Sequence, residues 1–146
     1  METTRLAQLV DCKLQILELL SRLARQQLEM IGAGDMTPLL KLLAAKQSVM
    51  DQLQKVERQL DPFREQDPDA RVWPSAAERE FCQHKVERCN ALVAEMLQLE
   101  RQGETEMMRR RDVAAAQLAG AHSASEARLA YGELSPALGL DLSTQG

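Results

Sequence analysis

The sequence predicts an all-α protein: an up-and-down antiparallel bundle of three long helices, the third overhanging, with a weakly ordered or short-helical C-terminal tail. Three observations carry this. Of 146 residues, 45% are hydrophobic, yet only two Phe, one Trp and one Tyr are among them. The apolar fraction is therefore mostly Leu, Ala, Val and Met, a mixture that suits helices better than pleated sheets. Apolar residues recur every three or four positions over three long stretches. No run of four to eight Val, Ile, Phe or Tyr bounded by turn signals offers a buried strand, which excludes sandwiches and barrels and disfavours α/β enzyme folds.

The first helix is expected over about 4–31, where Leu6, Val10, Leu14, Leu17, Leu20, Ala24, Leu28 and Ile31 form a stripe. Leu9, Ile16, Leu19, Leu23 and Met30 widen it beyond a coiled-coil seam, so this helix needs more than one neighbour. Gly32 to Asp35 end it, because glycine can take the left-handed conformation at a helix C-terminus. A second helix follows over about 37–60. Asp35 and Thr37 are both N-cap candidates, and Pro38 suits the first turn. Its stripe is Leu39, Leu42, Leu43, Val49, Leu53, Val56 and Leu60, with Lys46 at a seam position. Either the Lys46 stem lies along apolar surface with its ammonium in water, or it meets a specific acidic partner, or it sets the register.

Residues 61–75 hold three of the five prolines and four acidic residues and are expected to be a loop. Phe63, Val72 and Trp73 are its expected pins to the bundle, the alternative being a partner-binding loop. Ser75 to Glu78 reads as a capping box opening a third helix over about 76–119. Its stripe is Phe81, Cys82, Val86, Cys89, Leu92, Val93, Met96 and Leu99, after which the apolar pattern thins. At 1.5 Å per residue the helices would be ~42, ~36 and ~66 Å long, so the third reaches the first turn near Glu100 and overshoots it. Gly103 is a candidate hinge there. The division is a bundle domain over 1–119 and a flexible tail over 120–146. In that tail Ser123 to Tyr131 could form a short helix, and Leu134, Leu138, Leu140 and Leu142 lack neighbours.

Charge and motif content narrow the function. The net charge is −4, from 22 acidic and 18 basic residues that interleave, and the pI is about 5.3. The one basic cluster, Arg109 to Arg111, is flanked by Glu104, Glu106 and Asp112, so no nucleic-acid footprint is expected. The N-terminus lacks the apolar run of a signal peptide and no segment is long enough to span a bilayer, so a cytosolic protein without membrane insertion is expected. Three cysteines without framework spacing suit a reducing compartment. Cys82 and Cys89 sit about 10 Å apart along one helix, too far for a disulfide or shared metal, and with Cys12 are expected in the core. Neither His84 nor His122 follows a glutamate by three positions, which removes a di-iron motif. No phosphate loop, nucleophile elbow or Cys-x-x-Cys pair occurs, so neither enzyme activity nor a cofactor or metal is expected.

The stretch Gly34-Asp35-Met36-Thr37-Pro38-Leu39-Leu40-Lys41-Leu42-Leu43-Ala44-Ala45-Lys46-Gln47, followed by Val49, Met50, Leu53 and Glu57, resembles the second helix of FlgN-type flagellar export chaperones. The similarity extends from about residue 6 to 118: a leucine-rich first helix, a Gly-Asp turn, a second helix with a central lysine, and a long third helix. The resemblance implies a cytosolic chaperone that binds flagellar hook-filament junction subunits before they pass to the export machinery. Helix-in-groove recognition would mask client helices that otherwise self-associate. It also implies client binding by the C-terminal part. No motif transfers individual residues, so the apolar pattern alone nominates Met107, Met108, Val113, Leu118, Leu129 and Tyr131 as partner-binding residues. Methionines suit adaptable surfaces. The alternative is a structural coiled-coil scaffold whose overhang forms a homodimer, with no export role.

Overall fold

The computed structural model describes residues 2–137. It contains three long helices, α1 (Glu2–Ala33), α2 (Met36–Arg64) and α3 (Ala76–Ala137), and no strand among the described residues. The predicted all-α class, a bundle of three long helices, is the observed one. The chain divides into two compact units, Met1–Glu106 and Met107–Gly146.

Cross-links between helices give the topology of the first unit. Arg5 donates to Gln59 at 3.1 Å, Lys13 pairs with Glu57 at 2.8 Å, and Lys46 donates to Gln27 at 2.9 Å. Numbers rise along α1 as they fall along α2, so the two are antiparallel. Lys85 pairs with Asp11 at 2.8 Å and Arg25 pairs with Glu95, so α3 runs parallel to α1. Backbones of α1 and α2 pack closely, whereas α3 is held mainly through its side chains. Leu17, Leu20 and Leu92 are fully buried at the centre, and Leu6, Leu9, Val10, Val49, Val56, Leu60, Cys82 and Cys89 surround them.

The turn between α1 and α2 is a Schellman motif. Gly34 has φ 72°, its N–H donates to Ile31 O at 3.1 Å, and the Asp35 N–H donates to Met30 O at 3.1 Å. Two carbonyls that would otherwise lack partners are thus satisfied, and only glycine takes this φ without strain. Asp35 is the N-cap of α2, but its side chain makes no capping bond. At the start of α3 the Glu78 N–H donates to Ser75 Oγ at 3.2 Å, the serine half of the expected capping box.

The expected loop begins later than residue 61, because α2 runs through Pro62 to Arg64. Pro62 removes one backbone bond so close to the helix end that the cost is small, and Arg64 bridges Glu57 and Asp61 across this last turn. Phe63 and Trp73 pack on the core as expected. Val72 does not: its side chain is 80% exposed. Its carbonyl is the pin instead, accepting from the buried Thr3 hydroxyl at 2.9 Å. Cys12 is exposed rather than in the core. It lies five residues from Leu17, about 140° round the helix, outside the arc that α2 and α3 cover.

Two expectations at the C-terminal side are corrected. The third helix does not stop near 119 but runs on to Ala137. Ala121, Ala124, Ala127 and Ala130 favour it by backbone propensity, and residues 120–132 are exposed. His122 and Glu126, one turn apart at 3.0 Å, add a local pair. Nor is Gly103 a hinge: it is buried inside uninterrupted helix, and a Cβ there would meet Ile31 Cδ1 at 3.4 Å. Glycine marks a close approach between α3 and the end of α1. Leu138, Leu140 and Leu142 lie outside the described residues.

Candidate docking groove

Of the apolar surface that α2 and α3 carry, α1 covers only part. On α2, Leu39, Leu42, Val49, Val56 and Leu60 are buried; on α3, Cys82, Cys89 and Leu92 are. Beside them Leu43, Met50, Leu53, Val93, Met96 and Leu97 line an apolar groove of about 560 Å³ between α2 and α3, floored by Leu17. Leu43, Val93 and Leu97 are exposed, Leu97 by 54%. Met50 and Met96 are half-buried against the core.

A polar lock closes one part of this groove. The Lys46 ammonium pairs with Glu100 of α3 and donates to Gln27 of α1, joining all three helices. Its side chain is only 13% exposed. Burial holds its pKa below the usual lysine value. Of the readings open for Lys46, the specific acidic partner is the one found, with Gln27 as a further acceptor. Elsewhere Glu57 receives both Lys13 and Arg64. Burial pushes its carboxyl up, but the hydrogen bonds and charges of Lys13 and Arg64 outweigh that and hold it below the usual glutamate range.

A second, more polar cavity of about 400 Å³ lies between the starts of α1 and α3, bordered by Trp73, Pro74 and Phe81. Phe81 is 64% exposed, not part of the core stripe. Lys85 Nζ sits 4.3 Å from its ring centroid while paired with Asp11. Cys82 and Cys89 are buried, as expected, and burial raises both thiols. No cluster of three or more potential metal ligands occurs among the described residues. No helix among them is long and apolar enough to cross a membrane.

The six nominated residues, Met107, Met108, Val113, Leu118, Leu129 and Tyr131, are all exposed and all belong to the second unit. They do not form one surface. At about 100° per residue, Met107, Leu118 and Leu129 fall within about 40° of one another, Val113 and Tyr131 share a different face, and Met108 stands apart. Met107 and Leu129 are ~33 Å apart along the axis.

Sequence reasoning assigned Leu43 and Val93 to buried stripes and passed over Leu97. The missed signal is a series of apolar doublets: Leu39-Leu40, Leu42-Leu43, Leu92-Val93 and Met96-Leu97. Adjacent residues point about 100° apart, so only one of each pair can face α1. The fold and site thus define a class, an all-helical protein with a lined, open apolar groove on its three-helix unit. No protein-family model, curated protein or solved structure matches the chain.

Proposed function

We propose that this chain works by binding rather than catalysis, as a cytosolic export chaperone of the FlgN kind that takes an amphipathic helix of a hook-filament junction subunit into the α2/α3 groove. The observation that carries the reading is the groove itself: exposed Leu43, Val93 and Leu97 beside half-buried Met50 and Met96. An amphipathic helix lays its apolar face into such a trough through anchors at i, i+3 or i+4, and i+7. Methionines on the walls let the surface repack around different anchors. The FlgN-type likeness of residues 34–57 supports the choice of client.

Calorimetric titration with a helical C-terminal peptide of a junction subunit tests this. Leu97→Lys and Leu43→Lys change exposed positions and leave thermal unfolding within a few degrees, but are expected to weaken capture at least tenfold. Capture that survives both substitutions and vanishes on deletion of residues 107–146 would move the site to the nominated distal residues. Absence of capture by the full chain would end the chaperone reading.

One observation favours a second reading, a homo-oligomeric coiled-coil scaffold: the distal helix displays Met107, Leu118 and Leu129 on one exposed face. Sedimentation equilibrium decides it, since a dimer that becomes monomeric on removal of residues 107–146 assigns self-association to that face.

A further inference from the structure

A smaller cavity of about 180 Å³ lies between α1, α2 and α3, walled chiefly by apolar side chains that include Val10, Leu60, Phe63 and Cys89. Every charged residue lining it is cationic: Lys13, Arg64 and Arg71. Two of these have counter-ions. Lys13 pairs with Glu57, and Arg64 with Glu57 and Asp61. Arg71 differs, for no carboxylate among the described residues lies within ion-pairing distance of it. Its Nη2 donates to Phe63 O at 2.6 Å, and its Nε is buried without an acceptor. Three cations thus face two carboxylates, and the surplus charge sits on the Arg71 guanidinium.

An arginine without a carboxylate on the wall of an apolar cavity leaves its terminal guanidinium N–H groups for an acceptor that brings apolar bulk with it. Size limits that bulk. A dry, apolar cavity of about 150 Å³ takes benzene, so this one has room for a group of about six carbons or one leucine or phenylalanine side chain. A carboxylate is the planar acceptor that a guanidinium fork matches. We propose that this cavity binds a carboxylate carried on a short apolar group, anchored by Arg71. Two sources share that chemistry, a free fatty acid of about six carbons and the apolar C-terminal residue of a polypeptide. The inference stands apart from the chaperone reading, because it needs neither the α2/α3 groove nor a flagellar client.

The test uses the full chain and follows the Arg71 Nε–H resonance by NMR, with Trp73 fluorescence two residues away as a second readout. The probes are sodium hexanoate, 1-hexanol, and acetyl-leucyl-leucine with a free or an amidated C-terminus. At least one carboxylate probe is expected to shift the Arg71 resonance and to bind at least tenfold tighter than its uncharged counterpart. Arg71→Gln is expected to erase that preference and Arg71→Lys to restore part of it. Val86→Phe, which fills the cavity and keeps Arg71, is expected to block binding and guards against a fold defect in the arginine variants. A response to hexanoate alone assigns the small-molecule source, and to the free-acid peptide alone the polypeptide terminus. Failure of both carboxylates to move the resonance, equal binding of charged and uncharged probes, or unchanged preference in Arg71→Gln would overturn the inference.

Discussion

Leu17 and Leu118 are both leucines in helix, each with an apolar residue three positions away on either side, yet Leu17 has no exposed surface and Leu118 is 72% exposed. The contrast holds across the two units. In the first, Met1–Glu106, side chains of three helices enclose a continuous core and ion pairs tie α1 to both neighbours. In the second, residues 107–132 are exposed at nearly every position, although the chain stays helical. Tertiary packing supports helix in one region and residue propensity supports it in the other. A helix of the second kind tolerates change in its side chains and responds to change in its backbone.

The largest expected effect tests that contrast directly. Leu17→Ala leaves a cavity at the centre and should lower unfolding free energy by about 2–5 kcal/mol, whereas Leu118→Ala should change it by less than about 0.5 kcal/mol. Urea denaturation followed by circular dichroism measures both, and a comparable loss for Leu118→Ala would break the comparison.

Glycines sharpen it at the next level. Gly103→Leu forces three more carbons beyond the 3.4 Å contact with Ile31 Cδ1 and should cost about 1–3 kcal/mol by overpacking. Gly120 has no heavy atom within 4 Å of an added Cβ, so Gly120→Leu should instead gain up to about 1 kcal/mol of local helix stability. Amide hydrogen exchange near each site reads both signs.

A smaller gain is expected from Ser21→Ala. The Ser21 hydroxyl is buried in α1 without a hydrogen-bond partner, so removing it should raise stability by about 1 kcal/mol in the same urea experiment. The smallest effect is electrostatic. Glu57 has its pKa depressed by Lys13 and Arg64. Its contribution is therefore present above the usual glutamate value of about 4.3 and is lost as pH falls through the lower folded value. Wild-type stability should fall more steeply than that of Glu57→Gln below about pH 4.3, read as the difference between their melting temperatures across an acid series.

The structure bears out the sequence at several points where the signal was local and chemical. Gly34 ended α1, Ser75 opened α3, and the recurrence of Leu6, Val10, Leu17 and Leu20 marked the buried face of α1. The misreadings have a common cause. Residues 120–137 were judged by their lack of core partners, yet they are helical. Gly103 was judged by its poor propensity, when its small size lets Ile31 approach. Phe81 was placed by periodicity and Cys12 by residue type, when their angular positions carry them out of the covered arc. The groove was hidden because Leu43 and Val93 obey the same periodicity as their buried neighbours.

By itself the sequence determined that this chain is three helices, where the first turn lies, and which residues form the central core. Those properties follow from propensity, capping and periodicity, which act over a few neighbouring residues. Only the tertiary structure decided that Lys46 joins Glu100 and Gln27, that Arg71 lacks a carboxylate beside an open cavity, and that α1 leaves one side of α2 and α3 uncovered. These depend on how far apart helices pack and at what rotation, and an apolar side chain carries the same pattern in the chain whether or not a third helix arrives to cover it.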